Sequence, residues 1–219
     1  VIAGPDGLDP RQVGVTADNY TAALKGDAGK VRIGVVKEGF GLANSEPEVD
    51  NLVRKGAELF RLSGATVEEV SIPLHSLGMA IWTPIAVEGA TTQMMHGNGF
   101  GFNWKGLYLP SLMDHHAGWR ARADELSETL KVTMLAGEYI LRKYQGRYYA
   151  KCQNLSRVLR AAYDSALAKY DLLLMPTVPM RATPIPGPTA PKAEIVQRAF
   201  EMLANTCPFD VTGHPAMSL

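Results

Sequence analysis

An excess of charge of either sign is missing from this sequence. Its 22 lysines and arginines balance 22 aspartates and glutamates, so nothing calls for a nucleic acid or an anionic membrane as partner. Long apolar runs are missing too: none approaches the ~18 residues of a membrane-spanning helix. Val1 to Gly4 is apolar but has no basic flank, which argues against a signal peptide, and a cytoplasmic protein is expected. Cysteine is scarce. Cys152 and Cys207 are the only two in 219 residues; they do not form a metal-ligand spacing, and they fit a reducing compartment and a core built without disulfides. The serine-nucleophile signatures Gly-x-Ser-x-Gly and Ser-x-x-Lys do not occur, nor does any internal repeat. What is present is a globular composition, 46% hydrophobic and 20% charged, enough for one domain, or two small ones, with a sizeable core.

Periodicity supplies the elements. Val1 to Gly4 reads as the tail of a helix closed by Gly4-Pro5. VRIGVV (Val31 to Val36) is a short β-branched strand. Ser45-Glu46-Pro47-Glu48 has the form of a capping box with proline in the first turn. It opens a helix to about Leu62 with Val49, Leu52, Val53, Leu59 and Phe60 on its apolar stripe. Ala65 to Ile72 alternates as a second strand, so the three elements predict a βαβ unit with a parallel strand pair. From His75 to Tyr170 the character is helical. Ser76 to His96 is apolar nearly all round, which predicts a buried or cavity-lining helix. Asp124 to Tyr144 is expected to turn Leu126, Leu130, Met134, Leu135, Tyr139 and Leu141 inward. Arg147 to Lys169 follows with Tyr148, Cys152, Leu155, Leu159, Ala162, Tyr163, Ala166 and Tyr170 at helical spacing.

Tyr170 to Met175 returns to strand and stops at Pro176. Six of the chain's 14 prolines then fall between Pro176 and Pro191, so the strand opens into a loop held by proline, at the kind of strand end where ligands gather in α/β sheets. Glu194 to Ala204 reads as a short helix, and Asn205 to Leu219 as a turn followed by a strand. The fold class is therefore α/β: a partial mixed sheet flanked by helices, with a mainly helical excursion over about 75–170. A last stretch that stops on an apolar run suggests an internal piece of a larger enzyme.

Several patterns carry less chemistry than their residue types suggest. The G-x-G-x-G of Gly97 to Gly101 follows a helix rather than a strand and reads as a helix stop, not a phosphate loop. Adjacent His115 and His116 point apart on any regular element and lack a third ligand, so no metal site is expected. Asp210, His214 and Ser218 are spaced four apart, but Gly213 and Pro215 keep them from stacking as a triad on one helix face. The basic residues Arg142, Lys143, Arg147, Lys151, Arg157 and Arg160 fit a solvated helix face. Trp82, in AIWTPI, is different. Pro84 distorts that helix and frees a carbonyl, and the indole suits a core or a pocket wall equally.

Together these segments resemble the amidase signature family. YDLLLMPTVPMRATPIP is similar to its strand-and-loop motif YD-x-LL-x-PT-x-P, and NTCPFDVTGHPAMSL to its C-terminal turn G-x-PA-x-S. VIAGPDGLDPRQ looks like the segment just after that family's catalytic core. VRIGVVKEGFGLANSEPEVD and WTPIAVEGATTQMMHGNGFGFNWKGLY resemble amidases that act beside nitrile hydratases on small amides. The resemblance implies an incomplete amidase signature fold, with 1–219 as the C-terminal part of one amidase domain. It also implies amide hydrolysis through a serine nucleophile, a second serine with a cis peptide bond and a lysine. This sequence contains no Gly-Ser-Ser or Ser-Gly-Gly-Ser run, so no catalytic residue is assigned and the 219 residues alone are expected to be inactive. By the same resemblance Trp82, Met202, Leu203, Asn205 and Thr206 approach the acyl side of a small uncharged amide. Cofactor and metal are expected to be none, and the full-length protein is expected to be a homodimer. The alternatives are an amidotransferase component that works on tRNA-bound glutamate and a non-enzymatic small-molecule binding domain.

Overall fold

The computed structural model describes residues 4–7, 12, 14–24, 28–103 and 107–218. The helix tail expected at Val1–Gly4 falls on residues 1–3 and so lies outside the described residues. A single turn, α1 (Tyr20–Ala23), precedes the sheet. Strand β1 (Arg32–Val36) is central. It pairs in parallel with β2 (Thr66–Val70) on one side and β3 (Leu172–Leu174) on the other, in the order β2-β1-β3. Its alternation explains the layers. Ile33 and Val35 point to one face, where α2 (Pro47–Leu62) supplies Val53, Ala57 and Phe60. Val36 points to the other face and meets Ile81, Leu159 and Tyr163. A strand buried on both faces is what a parallel sheet between helices requires. Both clusters contain fully or nearly fully buried side chains: Ile33 is 2% exposed, and Val36, Leu159 and Tyr163 are 0% exposed.

The capping box at Ser45 does not form. The hydroxyl of Ser45 accepts instead from the Leu42 N–H (2.9 Å), and the Glu46 N–H donates to the Pro179 carbonyl (2.8 Å). The helix starts from Glu46 without a side-chain cap, because the Ser45 N–H, the donor that Glu48 would have reached, goes to the Leu42 carbonyl (2.9 Å). Glu46 and Glu48 both pair with Arg181 of that loop instead. The apolar stripe of α2 is also narrower than its sequence predicts: Leu52 and Leu59 stand exposed, and Ala57 takes the buried position.

The helical excursion lies between β2 and β3. A 3₁₀ turn (Pro73–Leu77) leads into α3 (Gly78–Ala90), which continues as one π-helical turn (Thr91–His96). Hydroxyls of Thr91 and Thr92 bond back to the carbonyls of Val87 and Glu88 at 2.9 Å each, a pattern that bends helices. Pro84 removes the amide that would bond the Ala80 carbonyl, and the Cys152 thiol approaches that carbonyl at 3.9 Å. Then follow α4 (Pro110–Ala117), a 3₁₀ stretch (Gly118–Glu125), α5 (Glu128–Tyr144) and α6 (Arg147–Leu167). The inward face of α5 differs from the expected one. Met134 and Gly137 are buried, whereas Leu130, Leu135 and Tyr139 face outward. Gly137 explains the shift. A Cβ there would stand 2.0 Å from Thr91 Oγ1 and 2.5 Å from the Val87 carbonyl, so α5 approaches α3 across its small residue rather than its large ones. On α6, Cys152, Leu159, Tyr163 and Ala166 are buried, but Tyr148 and Leu155 are exposed, so only part of the expected stripe is internal.

After β3 the chain runs through the proline loop to α7 (Lys192–Phe200), a 3₁₀ turn (Leu203–Asn205) and α8 (Cys207–Thr212). The strand expected within Asn205–Leu219 is absent among the described residues, and α8 stands in its place. Pro208 sits in its first turn, where a missing amide costs nothing, and Gly213 ends it in the left-handed conformation (φ 70°). Pro208 packs so closely on Gly78 that a Cβ there would lie 2.3 Å from its Cγ. Among the described residues no helix is long and apolar enough to cross a membrane.

Candidate functional site

The three parallel strands deliver three connections to one edge of the sheet, at their carboxyl ends. The turn after β1 carries Glu38 and Gly39, that after β2 carries Ser71, Ile72 and His75, and the loop after β3 begins at Met175 and Pro176. Side chains stitch them together. Glu38 accepts from the Ser71 hydroxyl (2.5 Å) and the Ile72 N–H (2.7 Å). Burial works against this carboxylate, but those two bonds hold its pKa below the ordinary value.

Asn205 reaches all three connections. Its Nδ2 donates to the carbonyl of Gly39 (2.9 Å) and to that of Pro176 (2.8 Å), and its Oδ1 faces His75 Nε2 at 3.0 Å. Those two carbonyls fix the orientation of the amide, so His75 Nε2 must be the protonated nitrogen. His75 Nδ1 then accepts from the Tyr163 hydroxyl at 2.7 Å. Every polar hydrogen of the chain Tyr163–His75–Asn205 has one acceptor. Burial lowers the His75 pKa against the opposing pull of Asn205 and Glu38, which keeps the ring neutral, as this pattern needs. Burial also raises the Tyr163 hydroxyl and pushes the neighbouring Cys207 thiol up to about 12. Phe209 of α8 stacks on Tyr163 with ring centroids 4.9 Å apart. His75 and Tyr163 have no motif that marks them in sequence. A histidine in the turn that follows a strand was the available signal, and its partner lies 88 positions away.

The other expected site residues gather beside this hub. Helix α3, which carries Trp82, packs against the Leu203–Asn205 turn and α8. Trp82 and Leu203 are half-buried, Met202 is exposed, and Thr206 is half-buried with its hydroxyl on the Leu203 carbonyl. Asn205 differs from them: it is 2% exposed and all its polar atoms are engaged. Asp210, His214 and Ser218 do not come together. His214 bonds Thr212 Oγ1 (2.9 Å) and Asp164 Oδ1 (3.1 Å), and Ser218 meets Thr177 (3.2 Å). Among the described residues no group of three or more His, Cys, Asp or Glu could hold a metal ion.

One buried group stands apart from this network. Glu88, in the interface of α3, is 1% exposed, and neither carboxylate oxygen meets a hydrogen-bond partner among the described residues. Burial raises its pKa, opposed only in part by the backbone amide of Tyr149, which lies near the carboxylate without hydrogen-bond geometry.

Comparison with known proteins gives this arrangement a context. The chain matches the family described as Amidase over residues 1–219. It is similar to the enantioselective amidase of Rhodococcus rhodochrous, with 45% identity over 99% of this chain and 42% of that protein. It is also similar to a glutamyl-tRNA(Gln) amidotransferase component from Synechococcus sp. (strain RCC307), with 31% identity over 100% of this chain and 44% of the relative. Among solved structures, a bacterial aryl acylamidase of the amidase signature enzymes aligns with a TM-score of 0.61 and 20% identity, covering 95% of this chain and 41% of that one; this likeness concerns the fold. The chain thus spans less than half the length of these relatives.

Proposed function

The chain belongs to the amidase family, and from that premise we propose that it forms the carboxyl-terminal part of a hydrolase that converts small uncharged carboxylic amides to acid and ammonia. In the proposed reaction a serine oxygen attacks the amide carbonyl carbon, the C–N bond breaks with proton transfer to the leaving nitrogen, and ammonia departs. Water then attacks the acyl ester, which releases the acid and returns the serine. The serine pair, the lysine and the oxyanion-binding amides of this scheme belong to polypeptide outside these 219 residues. Trp82, Met202, Leu203 and Thr206 contribute a largely apolar wall toward the acyl group, and such a wall favours uncharged substrates.

The observation that carries this reading is the 45% identity to an enantioselective amidase over nearly the whole chain, against 31% to the amidotransferase component. Exposed apolar side chains on α2, α5 and α6, such as Leu52, Leu135 and Leu155, support it further, since a longer polypeptide would have surface to bury there. The test is ammonia release from propionamide and benzamide by the full-length gene product and by residues 1–219 alone. Turnover by the former and none by the latter is expected. Turnover by the isolated 219 residues would overturn the placement of the chemistry. A full-length product that leaves both amides intact but amidates glutamate on tRNA would replace hydrolysis with the amidotransferase reading.

A further inference from the structure

Asn205 sits among residues that resemblance places on the acyl side of the substrate, yet its own environment leaves no polar atom for a ligand. Its amide is 2% exposed, donates both Nδ2 hydrogens to backbone carbonyls and accepts from His75. Those contacts are not an arbitrary set. Gly39 follows β1, His75 follows β2 and Pro176 follows β3, so one side chain spans every connection at the carboxyl edge of the sheet. We propose that Asn205 is a positioning residue rather than a substrate contact: it locks the Pro176 loop against the Gly39 turn and thereby fixes the acyl-side wall.

The proposal rests on the amide-hydrolase reading for its functional meaning, but its mechanical content comes from the fold. Leu203 and Thr206 flank Asn205 on the same turn, and α3 packs against that turn. Movement of Asn205 therefore moves Leu203 and Thr206 with it, and with them the turn against which α3, the helix of Trp82, packs. The Pro176 loop is anchored at its start, because Pro176 and Pro179 are both fully buried. The chain of bonds also has a direction. Tyr163 donates to His75, His75 to Asn205, and Asn205 to the two carbonyls, so a change at either end propagates along it. Protonation of His75 would set a second N–H against the Tyr163 hydroxyl and force that hydroxyl to turn away. Glu38 and Tyr163 act on this assembly, and behind Tyr163 stand Cys207 and the edge-on ring of His214, which is bonded to Asp164. The folded pKa of His75 lies below the ordinary 6.5. As pH falls below 6.5 the unfolded state therefore takes up a proton that the folded state resists, and the latch weakens on the acid side.

The experiment uses the full-length protein with Asn205→Ala, His75→Ala and His75→Gln. It measures kcat/KM for benzamide and propionamide between about pH 5 and about pH 8, and backbone hydrogen exchange in the segments after β1 and β3. Asn205→Ala is expected to change the benzamide-to-propionamide ratio at least about fivefold and to accelerate exchange in both segments. His75→Ala should reproduce both changes. His75→Gln, whose amide can still donate to Asn205, should restore the ratio and remove its dependence on pH below 6.5. A general loss of folding lowers turnover of both amides by one factor and leaves their ratio alone, so an unchanged ratio sinks the proposal. If Asn205→Ala does not fold, the two His75 variants decide it. If the unsubstituted protein hydrolyses neither amide, the hydrolase reading falls, and exchange still judges the latch: unaltered protection after β1 and β3 in the variants overturns it.

Discussion

The carboxyl edge of the sheet and the interface of α3, α5 and α6 are both buried, and they are held together in opposite ways. At the sheet edge, Glu38, His75, Tyr163 and Asn205 bring polar atoms into the core and pair them. In the helical layer the contacts are steric: Gly137 lets α5 approach the Val87–Thr91 turn of α3, and Gly78 does the same for Pro208. Its one deeply buried charge-bearing group, Glu88, has no hydrogen-bond partner among the described residues. The first region depends on the direction of bonds, so isosteric changes of polarity should disturb it. The second depends on volume, and a change of one carbon should disturb it more than a change of polarity.

The largest expected effect tests the steric half. Gly137→Ala places a carbon 2.0 Å from Thr91 Oγ1 and should cost about 2 kcal/mol, the usual scale of overpacking. Urea unfolding of the full-length protein measures it, and an unshifted midpoint would show that the two helices separate freely. Next in size is Glu88→Leu, which removes an unpaired carboxyl from the same interface and should stabilise the protein by about 1 kcal/mol near neutral pH. The sign follows from titration. The folded carboxyl titrates above the ordinary 4.5, so the folded state holds the extra proton and stability falls as pH rises through and beyond 4.5. In Glu88→Leu that slope should flatten. A destabilised variant with the slope intact would mean that the carboxylate has a partner in the full-length protein. The smallest effect belongs to the amino-terminal edge of the sheet. Asp171 there accepts from the Arg32 backbone N–H (2.8 Å) and its guanidinium (2.7 and 3.1 Å), and the Arg32 bonds hold its pKa at about 2, against 3.8 ordinarily. Both side chains are about half exposed, so solvent weakens the pair. Asp171→Asn should cost a small amount of stability at neutral pH, and that loss should shrink as pH falls from 3.8 toward 2; a large loss at neutral pH would place this edge with the directional region.

Much of the architecture was legible. The β-branched run Val31–Val36, the alternation of Ala65–Ile72 and the apolar run before Pro176 are the three strands, and the helical patterns between them are the excursion. What failed did so for tertiary reasons. The Ser45 capping box is lost because the Leu42 turn engages the N–H and the hydroxyl of Ser45, while Pro179 of the distant loop holds the Glu46 N–H and moves the helix start by one residue. The inward face of α5 is chosen by the smallness of Gly137, which an apolar count passes over. Helix α8 carries its own signals, Pro208 near the start and Gly213 just past the end, but at six residues it is too short for a period to declare itself. At the candidate site, the residue types on the wall came from the amidase resemblance. The latch did not, because Gly39, His75, Tyr163, Pro176 and Asn205 are scattered over the chain and meet only after the sheet has formed.

Because a single amide ties down the segment after each strand, those three segments are not free to vary in length one at a time. An insertion next to Gly39, His75 or Pro176 would move a carbonyl or a ring out of register with the other two. At the opposite rim the tie is pairwise: Asp171 joins the start of β3 to the start of β1 through Arg32. Anyone grafting loops or splitting this protein for complementation therefore has to leave the three carboxyl-edge segments at their present lengths.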